Sequence, residues 1–168
     1  RNVGPQGSQD DRRLSRDAKV SEGGLTNEQV RWSEAIRQRL AACAQAGDAR
    51  KAEAYASCFT QNGVLALDDV TISGRTELLL WMRGPSVIPA PTKGEVGFIS
   101  HHLTTSSITF VNDSEASVRT YWLVTSASGL DHNGYYVDSL ERVGEDWFIA
   151  HRRPRTLWIS PTSVLRNT

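Results

Sequence analysis

The sequence predicts an α+β domain in which a curved antiparallel sheet of about four to six strands wraps on N-terminal helices. This arrangement would form a cone with an internal pocket. The prediction has three grounds: amphipathic helical patterns fill the first half of the chain, long strand patterns fill the second half, and the length of 168 residues suits one domain. Because long antiparallel strands twist and curl, helices on the concave face would close the cone.

The chain divides into three parts by composition. Residues 1–24 are rich in Gly, Ser, Asp and Arg and contain few apolar side chains. Such a segment cannot bury enough surface to offset the entropy lost on ordering, so we expect a disordered arm or one that docks on a partner. Residues 25–160 carry the periodic patterns and form the predicted domain, and residues 161–168 are assigned to a C-terminal tail.

The helices are predicted from caps and apolar spacing. Thr26 and Gln29 have the spacing of a capping box, which marks a helix start. The apolar stripe of this helix is Trp32, Ile36, Leu40 and Cys43. Gly47 and Asp48 mark its end, a second helix carries Tyr55 on its apolar face, and a third covers residues 76–82.

The strands are predicted from period-two alternation between turn residues. A small hairpin joins residues 64–67 to 70–72, and longer strands cover residues 98–111 and 116–126. The final hairpin runs from Gly134 to Trp158 with its turn at residues 144–146.

One face of the final hairpin combines polar and apolar side chains. Tyr136, Asp138 and Leu140 share a face because strand side chains alternate. An acid between a phenol and a leucine has little use on a surface hairpin. The pattern therefore favours a ligand cavity.

Charge and composition exclude several classes of protein. The net charge is zero and the pI is about 7.1, which gives no electrostatic footprint for nucleic acid. No apolar run approaches the ~20 residues of a membrane span, and no signal-peptide pattern is visible, so we expect a cytoplasmic protein. Cys43 and Cys58 lack metal-site spacing and are interpreted as buried apolar residues. No phosphate loop, nucleophile elbow or metal cluster occurs, so no metal or cofactor is predicted.

The final hairpin also carries a family resemblance. Its pattern G-x-Y-x-D-x-L-x-R-V, followed after a turn by W-x-I-A-x-R, resembles the last hairpin of SnoaL-like proteins in the nuclear transport factor 2-like superfamily. Residues 153–158 are similar to the tail of scytalone dehydratase, a member of that superfamily. Residues 101–105, HHLTT, are similar to the strand that carries a catalytic histidine in that branch.

The resemblance implies the α+β cone fold and cofactor-independent acid/base chemistry. A dehydratase, isomerase or cyclase would act in the internal pocket on a small, largely apolar cyclic carbonyl compound of polyketide, terpenoid or steroid type, as in secondary metabolism. Two alternatives share the fold: a non-catalytic ligand-binding or assembly module, and the small structural subunit of a ring-hydroxylating dioxygenase.

Three residues are predicted to be catalytic. The resemblance aligns His101 with the catalytic histidine, whereas the strand pattern alone cannot decide between His101 and His102. An unperturbed histidine has a pKa of about 6.5 and can exchange a proton near neutrality. Asp138 is the expected carboxylate partner of His101. Arg152 holds the arginine position of the hairpin and would bind a substrate anion, or form a structural ion pair with Asp138.

Four further residues are predicted to contact substrate: Tyr136, Tyr55, His132 and Trp122. Tyr136 takes the place of a pocket amide in scytalone dehydratase. Tyr55 is either a pocket phenol or core, and His132 is either a second pocket histidine or a residue of a surface loop. A homodimer is also predicted, because Tyr121, Trp122 and Tyr135 would give the convex sheet face more aromatic surface than the helices can cover.

Overall fold

The computed structural model describes residues 24–85 and 98–166, and the predicted N-terminal arm lies outside them except for Gly24. The helices are α1 (Asn27–Asp48), α2 (Ala52–Ser57) and α3 (Arg75–Arg83). The strands are β1 (Phe59–Ala66), β2 (Thr71–Ser73), β3 (Ile99–Asn112), β4 (Glu115–Ser126), β5 (Gly129–Val143) and β6 (Asp146–Ile159). A 3₁₀ turn, Val164–Arg166, ends the described chain.

The six strands form one curved, unclosed sheet in the order β2-β1-β6-β5-β4-β3, with the N-terminal helices packed on it. This confirms the predicted fold class. The long neighbours β3, β4, β5 and β6 pair antiparallel, as does β1 with β2. β1 instead joins β6 in parallel, a pairing that hairpin patterns could not reveal.

Helix α1 begins at the predicted capping box. The Thr26 hydroxyl accepts from the Gln29 amide at 3.1 Å, and the Thr26 amide donates to the Gln29 side chain at 3.0 Å. The helix then buries Ile36, Leu40 and Cys43 against the sheet. None of the described helices is long and apolar enough to cross a membrane.

Two β-bulges decide which side chains face inward. On β5, Val124 pairs with His132 and Thr125 with Leu130, so Asp131 is an extra residue. A bulge of this kind places two residues opposite one and re-aims side chains. Asp131 and His132, although adjacent, are therefore both buried.

The second bulge, at Ala150 of β6, reverses the faces that strict alternation along the strand would give. Strict alternation after Ile149 would turn His151 inward. Because the register shifts between Ile149 and His151, His151 is exposed and Arg152 faces the interior beside Asp138. Arg152 thus reaches the same side of the sheet as Tyr136.

The aromatic side chains predicted for the outer face divide between the two faces. Tyr121 and Tyr135 stack outside at 5.7 Å between ring centroids, with the Arg119 guanidinium 4.8 Å from the Tyr135 ring. Trp122 is buried on the inner face, so its predicted place on the convex surface is wrong. Its predicted contact with substrate is compatible with this position.

Gly134 is required where β5 passes Trp122. A Cβ built there would lie 2.0 Å from the Arg155 carbonyl oxygen and 2.6 Å from Trp122 Cζ2. Backbone cannot move away as a flexible side chain can. We therefore expect Gly134→Ala to lower the free energy of unfolding by at least about 3 kcal/mol, at the upper end for overpacking.

Urea denaturation would measure this loss. The matched control is Gly24→Ala, since nothing lies within 4 Å of its added methyl group, and its effect should stay within about 0.5 kcal/mol. Equal stabilities of the two variants would contradict the close approach at Gly134.

Candidate active site

A cavity of about 330 Å³ lies between the helices and the inner face of the sheet, within the size range of small-molecule sites. All three helices and every strand except β2 contribute to its lining. The polar and aromatic side chains that face it include Asp48, Tyr55, His101, Trp122, His132, Tyr136 and Arg152. The cavity therefore gathers six of the seven residues predicted from the sequence.

His101 is held at the pocket by the end of helix α1. Its Nδ1 lies 2.6 Å from Asp48 Oδ1, and its backbone amide donates to Asp48 Oδ2 at 2.8 Å. Because an ionised carboxylate only accepts, Nδ1 carries the proton, and Nε2 is the nitrogen left to accept one. His102 points the other way and contacts the Thr125 hydroxyl on the exposed face.

The expected partnership of His101 with Asp138 is wrong, because Asp48 fills that role. From the sequence, Asp48 was predicted only to mark the end of helix α1. The sequence contains one signal of this role. The helix dipole disfavours a carboxylate in the last turn of a helix, so a carboxylate at that position indicates a function other than helix stability. Here the two donors of His101 compensate for that position.

A second histidine–carboxylate pair lies on the same wall. His132 Nδ1 is 2.7 Å from Asp131 Oδ1, and both residues are buried. The His132 ring lies 5.4 Å from that of Trp122 and 6.3 Å from that of His101, measured between centroids. His132 therefore belongs to strand β5 and the pocket rather than to a surface loop, a position created by the Asp131 bulge.

Asp138 and Arg152 form a buried ion pair behind this wall. Arg152 Nε donates to Oδ1 at 2.9 Å and a terminal nitrogen donates to Oδ2 at 2.8 Å. Both carboxylate oxygens are thus engaged, and the Asp138 side chain is fully buried. Burial lowers the pKa of Arg152, but the Asp138 charge and the other groups around it raise that pKa well above its usual value.

Arg152 also organises the base of the pocket. Its guanidinium carbon lies 4.1 Å from the centroid of the Tyr136 ring, and its Nη1 donates to Cys43 Sγ at 3.4 Å. Burial raises the pKa of Tyr136, so its phenol stays protonated and can donate a hydrogen bond. Arg152 and Tyr136 together present donors beside an apolar cavity.

Tyr55 and the two cysteines complete the helical side. Tyr55 is buried, stacks on Phe59 at 5.4 Å, and has a pKa raised mainly by burial. Cys43 and Cys58 are buried free thiols, as predicted. A hydrogen bond with Cys58 and burial raise the pKa of Cys43, which keeps the pocket thiol protonated and a weak nucleophile. No group of three or more His, Cys, Asp or Glu side chains within residues 24–85 and 98–166 is placed to hold a metal ion.

The pocket can carry out proton transfer. It offers two imidazoles, each fixed at Nδ1 by a carboxylate, beside a protonated phenol and a buried cation. Such groups take a proton at one atom, give a proton at another and stabilise negative charge on an oxygen.

The chain matches a protein-family model over most of its length. The model of the SnoaL-like domain matches residues 28–153, which span α1 through most of β6. None of the curated proteins compared with the chain matches it.

Several solved structures share the fold. A candidate scytalone dehydratase from Novosphingobium aromaticivorans has 21% identity and a TM-score of 0.66, with 81% of this chain and 91% of that chain covered. A nuclear transport factor 2-like protein with a cystatin-like fold from the same species has 21% identity and a TM-score of 0.65, with 84% and 96% covered. The hexachlorocyclohexane dehydrochlorinase LinA-type3 from Novosphingobium barchaimii has 16% identity and a TM-score of 0.66, with 80% and 92% covered.

Loss of one partner of the Asp138–Arg152 ion pair should lower the free energy of unfolding. Asp138→Asn leaves a guanidinium buried without its carboxylate, and breaking such a pair from one side costs about 3–5 kcal/mol. We expect a loss of that size in the free energy of unfolding, measured with urea.

The matched control removes both charges. Asp138→Leu combined with Arg152→Met leaves no uncompensated buried charge, so it should recover most of the stability lost in Asp138→Asn. A single variant that lost less than about 1 kcal/mol would contradict the assignment of Asp138 to a structural ion pair.

Proposed function

This chain belongs to the SnoaL-like family, and from its pocket we propose that it is a cofactor-independent lyase or isomerase. It removes a proton from carbon in a small, largely apolar cyclic carbonyl compound. The reaction is completed by β-elimination or by movement of a double bond. Elimination from a β-hydroxy ketone and isomerisation of a β,γ-unsaturated ketone both give a conjugated enone.

The observation that carries this proposal is the contact between His101 and Asp48. A short Nδ1–carboxylate contact of 2.6 Å fixes the tautomer, so that Nε2 is the basic nitrogen. When Nε2 takes the proton, the Asp48 charge stabilises the imidazolium that forms. His101 is therefore the base in this proposal.

When the proton leaves carbon, negative charge develops on the carbonyl oxygen of the substrate. Arg152 and Tyr136 supply the hydrogen-bond donors to that oxygen. Arg152 brings a fixed positive charge, and Tyr136 brings a phenol that stays protonated. Donors held in place before the reaction stabilise the enolate without reorganisation. The apolar wall, which includes Leu65, Met82 and Ile99, excludes water from the ring of the substrate.

His132 supplies the second proton. In an elimination, His132 starts as an imidazolium that carries protons on both Nδ1 and Nε2. The C–H electron pair forms the new C=C bond, and the leaving hydroxide takes the Nε2 proton of His132. Water departs, His101 holds the proton taken from carbon, His132 becomes neutral, and proton exchange with solvent restores both histidines. In an isomerisation, the proton returns to a different carbon, and no leaving group is needed.

Two relatives support elimination as the reaction class. A dehydratase removes water and a dehydrochlorinase removes HCl, and in both a proton on carbon and a neighbouring group are lost. Both proteins share this cone fold at low identity. The substrate class proposed for this chain follows the family resemblance, and the largely apolar lining of the pocket, with the donors Arg152 and Tyr136, supports it.

Turnover of a panel of cyclic β-hydroxy ketones and β,γ-unsaturated ketones, followed by enone absorbance, tests this function. With a compound that reacts, His101→Ala should lower kcat/KM by about 10²–10⁴-fold, the usual contribution of a general base. Asp48→Asn should also lower kcat/KM, because the tautomer of the His101 imidazole is no longer fixed.

His102→Ala is the matched control, since His102 is the next residue on β3 and faces the exposed side. It should keep the rate within about twofold, as surface substitutions usually have small effects. A His101→Ala variant that retained more than about a tenth of the rate would exclude His101 as the base. Binding of the panel without turnover in wild type would instead favour a ligand-binding module.

A further inference from the structure

We propose that Ser163, in the C-terminal segment of residues 160–166, is a positioning residue that orients His132 through Asp131. The segment lies beyond the end of the family match at residue 153. Most of it falls in the C-terminal tail predicted from the sequence, residues 161–168. The inference rests on the proposed function only in giving His132 a role in proton transfer.

The three side chains form a continuous buried chain of contacts. Ser163 Oγ donates to Asp131 Oδ1 at 2.6 Å, and the same oxygen accepts from His132 Nδ1 at 2.7 Å. Ser163 and Asp131 are each 1% exposed and His132 is 6% exposed. Water therefore cannot easily replace the serine hydroxyl.

The direction of the Ser163 hydroxyl is also fixed. Its oxygen accepts from the Leu165 amide at 3.0 Å, at the start of the 3₁₀ turn. Because the Leu165 amide binds a lone pair of Oγ, the hydroxyl proton of Ser163 points at Asp131 instead. Ser163 is thus set as a donor to the carboxylate.

The backbone of the segment is anchored independently of that hydroxyl. The Ser160 amide donates to the Asp131 carbonyl at 2.7 Å, the Ser163 amide donates to the Ser160 carbonyl at 3.1 Å, and Arg166 Nε donates to the same carbonyl at 2.9 Å. Loss of the Ser163 hydroxyl therefore removes its contacts to Asp131 and to the Leu165 amide, while the Ser160 amide still attaches the segment to strand β5.

The Ser163 contact adds to the support of Asp131, which is the extra residue of a bulge. The ladder of β4 and β5 does not fix its orientation as it fixes that of paired residues. A second donor on Oδ1 holds the carboxylate in the plane that receives the His132 Nδ1 proton. His132 then keeps Nε2 for the pocket, on the wall that it shares with His101 and Trp122.

The test reads the tautomer of His132 directly. Long-range ¹H–¹⁵N spectra of the full chain would be recorded near about pH 8.5, where an ordinary imidazole is neutral. The His132 signals would be assigned by their absence in His132→Gln. Wild type should show the tautomer with the proton on Nδ1, and Ser163→Ala should lower its ratio to the Nε2–H tautomer by about tenfold, the effect of one hydrogen bond to a charged group.

Two variants separate this role from a structural one. Ser163→Thr keeps the hydroxyl and should restore the wild-type ratio. Ser160→Ala removes the contact between Ser160 Oγ and Thr162 in the same segment but none of the side-chain contacts to Asp131, and should leave the ratio unchanged. If Ser163→Ala does not fold, Ser163→Cys, with its weaker donor and similar volume, would be measured instead.

An unchanged His132 tautomer in the folded variant would overturn the proposal. With a substrate found, kcat should fall about tenfold in Ser163→Ala while KM stays within about twofold, as for one charged hydrogen bond. A shifted tautomer with unchanged kcat would support the Ser163 contact and count against the proton-transfer role of His132. A fall in kcat with an unchanged tautomer would assign Ser163 to structure alone.

Discussion

The buried ion pair between Asp138 and Arg152 is the interaction on which the rest of the pocket depends. It joins adjacent strands at paired positions of β5 and β6. The same guanidinium contacts Cys43 on α1 and lies over the Tyr136 ring, so it ties the first helix to the sheet at the base of the cavity. A pair of charges removed from water is costly, and apolar residues of similar volume often give equal or greater stability. Its value here is therefore to position a cation at the wall of a largely apolar pocket.

The two imidazoles above this pair are positioned by different parts of the chain. His101 depends on a contact between helix and sheet, because its carboxylate is the last residue of α1. His132 depends on a local bulge and on the C-terminal segment that packs over it. A change in helix packing would thus affect His101 first, whereas a change at the C-terminal segment would affect His132. Separate supports allow one histidine to be tuned without the other.

The sequence was sufficient for the fold and for six of the residues that line the pocket. Period-two alternation placed Tyr136 and Asp138 on the inner face, and the resemblance selected His101 over His102. The sequence was not sufficient to predict the two features that define the chemistry, which are the contact between Asp48 and His101 and the bulges in β5 and β6. Asp48 and His101 are 53 residues apart, and no local pattern joins them. The bulges at Asp131 and Ala150 shift a strand by one residue, which reverses every face beyond them, and neither residue type marks a bulge.

The chemistry proposed for the pocket requires that His101 presents an unprotonated Nε2 to it because Asp48 holds the proton on Nδ1. The long-range ¹H–¹⁵N spectrum of His101 tests this directly, in the wild-type protein without ligand near about pH 8.5, where an ordinary imidazole is neutral. We expect a strong excess of the tautomer with the proton on Nδ1. A His101 imidazole that carries its proton mainly on Nε2 would contradict it, because the nitrogen facing the pocket could not then act as a base.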